Sequence, residues 1–158
     1  MIPAAVLTVS DRSAAGLRED TAGPIAVEAL RAAGFSCETA KIVPDGADAV
    51  ESALRGLLAS GIRLVVTTGG TGVAPRDETP EGTARVVERE LPGIAEELRR
   101  RGAQAKPAAL LTRGIAGVAV SALGVNLPGS PAAVAEGMPL VVSLAGHVLD
   151  QLDGGDHA

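Results

Sequence analysis

Four short stretches carry the residue types that could hold and activate a phosphate. They are Ser10-Asp11-Arg12, Pro44-Asp45-Gly46, Thr67-Thr68-Gly69-Gly70-Thr71-Gly72 with Arg76-Asp77-Glu78 behind it, and Asn126-Leu127-Pro128-Gly129-Ser130-Pro131. Glycines 69, 70 and 72 free backbone amides to surround an anion where side chains would block the approach, and Thr68 and Thr71 add hydroxyl donors. No Gly-Lys-Ser/Thr follows and the spacing is not G-x-G-x-x-G, so neither a lysine P-loop nor a dinucleotide fingerprint is present. The glycine pattern alone fits a structural turn as well as a phosphate cradle.

Charge decides how such a cradle could work. Lys41 and Lys106 fall outside the four stretches, so Arg12 and Arg76 are the expected cations, each able to grip a phosphate in bidentate fashion or to form a surface ion pair. A bare carboxylate about 4 Å from a phosphate is repelled by roughly 4 kcal/mol at an effective dielectric near 20. A helix terminus returns only about 0.3 to 1 kcal/mol. If Asp45 and Asp77 both line a phosphate site, a bridging divalent cation resolves the repulsion, and oxygen ligands with retained water favour Mg²⁺. The reaction class is then phosphoryl or nucleotidyl transfer. Otherwise Asp45 is a turn or helix-cap residue in Pro-Asp-Gly and Asp77 a partner of Arg76. Gly129 and Ser130 offer an amide and a hydroxyl to an anion at a helix start, or form a rigid turn.

Elements that would position these groups follow from periodicity. Apolar runs at Ala4 to Val9, about Phe35 to Val43, Leu64 to Thr67 and Gly117 to Leu127 read as strands. Between them, helical spacing runs from a cap at Asp20 or Thr21 to Gly34, over Ala47 to Ser60, about Pro80 to Glu90 and Pro92 to Arg101, where Arg99-Arg100-Arg101 is expected to end the helix. Pro107 to Thr112 is ambiguous, and one or two helices close the chain from Pro131, including about Pro139 to Leu152. Strands alternating with helices imply a three-layer αβα fold with a mostly parallel sheet, one domain over 1–153 and a disordered tail at 154–158. In such a sheet ligands gather beyond the carboxyl ends of the strands, where all four stretches fall.

The 158 residues suit one core, and a net charge of -5 gives no broad positive field for nucleic acid. One Phe and no Trp or Tyr leave no stacking platform for single strands. With 46% hydrophobic and 21% charged residues no membrane span is expected, and with no leader-like N-terminus the cytoplasm is the default. The single cysteine, Cys37, reads as a buried, inert thiol, and His147 as a structural histidine on an apolar helix, with His157 in the tail. No zinc spacing or nucleophile elbow appears.

Thr8-Val9-Ser10-Asp11-Arg12, Gly16 with Asp20, Pro44-Asp45, the Thr67 to Gly72 loop, Pro75-Arg76-Asp77-Glu78-Thr79-Pro80-Glu81, Pro92-Gly93 and Asn126 to Pro131 together resemble the MogA/MoaB family of molybdenum-cofactor biosynthesis proteins and the related gephyrin G domain. The resemblance covers nearly the whole chain. It implies a homotrimer that adenylylates molybdopterin with Mg-ATP and releases pyrophosphate, with possible hand-over to a molybdenum insertase. It assigns catalysis and metal binding to Asp45 and Asp77, and contact with pterin or nucleotide to Ser10, Asp11, Thr68 to Gly72, Asn126 and Ser130. Two alternatives stand beside it: a pterin-binding module without turnover, and a molybdenum-insertase domain, which shares the fold but lacks the Ser-Asp-Arg opening. Gly82 departs from the family pattern as an interruption of the helix that starts at Pro80.

Overall fold

The computed structural model describes residues 1–155. In chain order the elements are β1 (Pro3–Val9), α1 (Asp11–Ala14), α2 (Ala22–Ala32), β2 (Ser36–Cys37), β3 (Lys41–Val43), α3 (Ala47–Ala59), β4 (Leu64–Thr68), α4 (Thr79–Ala84), β5 (Arg89–Glu90), α5 (Pro92–Ala105), a 3-10 helix (Pro107–Leu111), β6 (Ala116–Ala119), β7 (Ala122–Leu127) and α6 (Pro131–Leu152). Seven strands form one mixed sheet in the order β2-β1-β4-β7-β6-β5, with β3 also on β1. β1, β2, β3, β4 and β7 pair in parallel, whereas β6 and β5 join antiparallel.

Successive strand residues point to opposite faces, and the two hydrophobic clusters divide accordingly. Val6, Leu64, Val66 and Leu123 pack with α2, α6 and Ile94 of α5; Leu7, Val9 and Val65 pack with Val50, Ala53 and Leu54 of α3. The result is the expected α/β sandwich of three layers. α4 packs on α3 through Gly82, where an added Cβ would lie 2.6 Å from the Ala47 carbonyl oxygen, so this glycine serves close helix approach instead of interrupting the helix.

Local departures from the sequence expectation have local causes. The Phe35 to Val43 strand is two short edge strands, because Glu38 and Thr39 are exposed and only Phe35 of the run is fully buried. Gly117 to Leu127 is a hairpin, β6 to β7, that turns at Val120-Ser121; Val120 is 74% exposed and takes φ 57°, a conformation no β-branched residue advertises. The helix expected over Pro80 to Glu90 stops at Ala84, and Arg89–Glu90 instead adds an edge strand. The closing region is one helix, α6, with Pro139 inside it. It is long and apolar enough to cross a bilayer by length and composition, but Val134, Met138, Val141, Ala145 and Leu149 are buried in the core. Cys37 is half-buried, with burial pushing its thiol pKa up, and His147 is exposed with its Nε2 2.7 Å from Gln151 Nε2. Gly154 and Gly155 donate back to Gln151 and Asp150. The rest of the tail expected at 154–158, including His157, lies outside the described residues.

Helix α5 runs on to Ala105, so the arginine run lies inside it and not at its end. Arg100 and Arg101 both donate to Glu97, holding its carboxyl down at about 2. A depressed native pKa contributes stability above the ordinary 4.5 that is lost as pH falls through about 2. Glu97→Gln is expected to flatten the pH dependence of the thermal midpoint across that window. Because Arg100 is exposed and Glu97 and Arg101 are only half-buried, the change at neutral pH should be small and weaken further with salt.

Candidate active site

The chain leaves β1 through α2 on one face of the sheet and returns through α3 on the other, so β1 and β4 flank a switch in strand order. Crevices form at such a point beyond the strand ends. Here a cleft of about 600 Å³ is walled by Thr8, Val9 and Ser10 at the end of β1, Asp45 after β3, Thr68 to Gly72 at the end of β4 with Asp77 beyond, and Pro128 to Pro131 after β7. That volume falls within the usual range of about 300 to 1,000 Å³ for small-molecule sites. The four sequence stretches therefore do converge.

The glycine loop is packed between its neighbours. Gly69 has φ 92°, and a Cβ there would lie 2.3 Å from the Val9 carbonyl oxygen; one on Gly129 would lie 3.3 Å from Gly69 Cα. From below, Thr79 donates its hydroxyl to the Gly69 carbonyl at 2.9 Å and its N–H to the Gly70 carbonyl at 3.0 Å. Ser10 and Ser130 line the cleft as helix caps, accepting from the Ser13 and Ala133 N–H groups, which leaves each O–H proton for a ligand. The Thr68 hydroxyl is buried with no hydrogen-bond partner among the described residues, although its residue lines the cleft. An unpaired buried hydroxyl costs about 1 to 3 kcal/mol, and a ligand group could offset that cost.

Asp45 and Asp77 reach the same loop. An added Cβ on Gly70 would lie 3.1 Å from Asp45 Oδ1, and one on Gly72 2.9 Å from Asp77 Oδ2. Asp45 Oδ2 accepts the Asp11 N–H at 2.9 Å and Asp77 Oδ2 accepts the Ala74 N–H at 3.0 Å. Oδ1 of each stays without a hydrogen bond among the described residues. Burial raises the Asp45 carboxyl above its usual range, with the charges of Asp11 and Asp77 adding to the effect and the Asp11 amide and Arg76 opposing it. The Arg76 guanidinium holds Asp11 below its usual range. Among the described residues no three or more acidic, histidine or cysteine groups could hold an ion by themselves. Two carboxylates with free oxygens suit Mg²⁺, which keeps water and takes one or two carboxylates together with substrate phosphates.

The expected cations lie elsewhere. Arg76 grips Asp11 through two bonds of 3.0 Å and donates a third to the Asp45 carbonyl, so it braces the Asp11 and Asp45 loops from outside the cleft. Arg12 is exposed and does not line the cleft; Asp11 is turned toward Arg76. Asn126 is 4% exposed, its amide donating to Thr67 and Thr83 while its oxygen accepts from Ile115, so its side chain is a buried brace beneath the loop and not a cleft wall. Lys106, set aside in the sequence, does line the cleft, together with Arg18, Glu19 and Asp20. Charge spacing along the chain gave no sign of this, because the 3-10 helix brings Lys106 in from a connection and not from a strand end.

Arg113 was missed as well. Its N–H donates to the Thr71 carbonyl at 2.8 Å, Nε to Gly72 at 2.8 Å, Nη2 to Asp77 at 2.7 Å and Nη1 to Glu81 at 2.6 Å. One side chain thus ties the glycine loop to the segment bearing Asp77. Arg113→Ala would leave two of those carbonyls without donors, and a loss of about 1 to 3 kcal/mol in urea unfolding is expected. Arg113→Lys should recover little of it, since an ammonium cannot reproduce the planar fork.

Residues 5–147 match the family model described as a probable molybdopterin binding domain. The chain belongs to this family. It is 37% identical over 154 residues to the molybdenum cofactor biosynthesis bifunctional protein of Synechococcus elongatus, covering 98% of this chain and 48% of that protein. It is 38% identical to the molybdopterin adenylyltransferase of Haemophilus influenzae over 91% of this chain and 75% of that enzyme. The chain therefore spans about half the length of the first relative and three quarters of the second. The molybdopterin biosynthesis Mog protein from Mycobacterium ulcerans has the same fold, with a TM-score of 0.91 at 40% identity, covering 96% of this chain and 99% of that one.

Proposed function

We propose that this protein transfers the adenylyl group of ATP to the terminal phosphate of molybdopterin. The observation that carries this reading is the delivery of two carboxylates, Asp45 and Asp77, to one glycine loop inside the cleft of about 600 Å³. The adenylyltransferase named among the relatives supplies the substrate class. An oxygen of the molybdopterin phosphate forms a bond to the α-phosphorus of ATP, the bond from that phosphorus to the bridging oxygen breaks, and pyrophosphate leaves with the electron pair. The attacking phosphate is already ionised at neutral pH, so no strong general base is required. Catalysis is then positioning and charge neutralisation.

The residues divide that work. Amides of Gly70 to Gly72 and the hydroxyls of Ser10, Thr68 and Ser130 orient phosphate oxygens, the Gly69 amide being held by the Leu127 carbonyl; with no Trp or Tyr in the chain, the rings are held by hydrogen bonds and aliphatic packing. Asp45 and Asp77 would hold Mg²⁺ through their free oxygens, and the bound ion supplies neutralisation of the phosphates. The protein acts in the cytoplasm as a homotrimer, for which Leu110, 60% exposed and outside the cleft lining, offers an apolar contact. The adenylylated product is the activated form that a molybdenum-insertion step consumes.

Incubation of the purified protein with molybdopterin, ATP and Mg²⁺ is expected to yield adenylyl-molybdopterin and one pyrophosphate per turnover. Stoichiometric molybdopterin binding without pyrophosphate release would replace this reading with that of a binding module.

A further inference from the structure

The cleft wall holds two cations, Arg18 and Lys106, against four carboxylates, Glu19, Asp20, Asp45 and Asp77. Two anionic substrates entering such a site need positive charge from the protein as well as from an ion. The arginines nearest the loop cannot give it: Arg76 is held by Asp11, and Arg113 by Glu81 and the carbonyls of Gly72 and Asp77. Asp20 is likewise engaged, accepting from Thr8 Oγ1 at 2.7 Å and from the Gly23 N–H at 2.9 Å. Arg18 and Lys106, by contrast, are exposed, and neither makes a side-chain hydrogen bond or ion pair among the described residues. Each can therefore turn toward a ligand without giving up a partner, and each has the reach of a long side chain.

We propose that Arg18, between α1 and α2, and Lys106, at the start of the 3-10 helix, are the protein's own cations for substrate phosphate in this cleft. The inference rests on the adenylyl-transfer reading above and deepens it. Their common ligand chemistry is a phosphate oxyanion, which either the triphosphate of ATP or the phosphomonoester of molybdopterin supplies. Because both cations are exposed, they act on affinity and leave the fold untouched.

The test is equilibrium titration of the wild-type protein, Arg18→Ala, Lys106→Ala and the double variant, with ATP and separately with molybdopterin, in the presence of Mg²⁺. Each single variant is expected to bind at least one of these ligands about three- to tenfold more weakly, with an unchanged thermal midpoint. The arm in which the loss appears tells which phosphate each cation holds. The loss should shrink at high ionic strength, and Lys106→Arg should recover most of it, neither of which a packing role would produce. Wild-type affinity of the folded double variant for both ligands would overturn the inference while leaving adenylyl transfer intact. Failure of the wild-type protein to bind either ligand would overturn both, so the two failures are separable.

Discussion

Asp45→Asn and Asp77→Asn are each expected to lower the rate of adenylyl transfer about a hundredfold or more at saturating substrates, without unfolding the protein. Asparagine keeps an oxygen that can accept the Asp11 N–H at position 45 or the Ala74 N–H at position 77, so the loops stay closed. What each change removes is one negative charge beside the glycine loop. At Asp45 the ionised carboxylate is disfavoured by burial and by its acidic neighbours, so its neutral replacement should leave stability unchanged or slightly raised. Activity and stability are therefore expected to move apart, which a simple structural role for these acids would not produce. Turnover measured across a Mg²⁺ series, beside the urea midpoint, checks both halves. Full activity in both variants would remove the metal assignment.

Gly69→Ala is expected to damage the fold itself. Its φ of 92° is strained for any L side chain, and the new methyl would lie 2.3 Å from the Val9 carbonyl oxygen. That oxygen belongs to β1, locked in the sheet between β3 and β4, and cannot yield as a side chain could. A cost of about 2 to 4 kcal/mol is expected, together with loss of substrate binding. Gly72→Ala provides the contrast. Position 72 needs no left-handed backbone, and its Cβ would meet only the Asp77 carboxylate, at 2.9 Å. That variant should stay within about 1 kcal/mol of the wild type yet lose activity as Asp77 is displaced. Unfolding curves and pyrophosphate release on the same pair of variants separate scaffold from chemistry. Equal stabilities for the two would contradict the packing described at Gly69.

The buried parallel strands could be read in the sequence because β1 and β4 are covered on both faces, and continuous apolar runs such as Ala4 to Val9 and Leu64 to Thr67 leave that trace. The edge of the sheet left none. Arg89–Glu90 is two exposed charged residues whose strand character comes only from pairing with β6, and the β6 to β7 turn uses Val120, a residue type that signals no turn.

In the site the division runs the same way. Asp45, the glycine loop, Asp77, Gly129 and Ser130 all lie in connections that leave the carboxyl end of a strand, and strand ends in a parallel sheet share one edge, so chain position alone was enough to bring them together. Charge pairing was beyond the sequence. Arg12 and Arg76 had the right chemistry, but Asp11 lies within reach of Arg76, and a guanidinium satisfied by a carboxylate and a carbonyl is a brace. Asn126 points inward because Thr67, Thr83 and Ile115 present the partners its amide needs. Arg113 and Lys106 come from connections whose paths no periodicity records. The order of the strand-end motifs was therefore fixed by the chain itself, through local propensity and the rule that parallel strands align their ends. Which cation faces the cleft, and which is consumed in holding it together, depends on distances of a few ångströms between groups tens of residues apart, and only packing sets those.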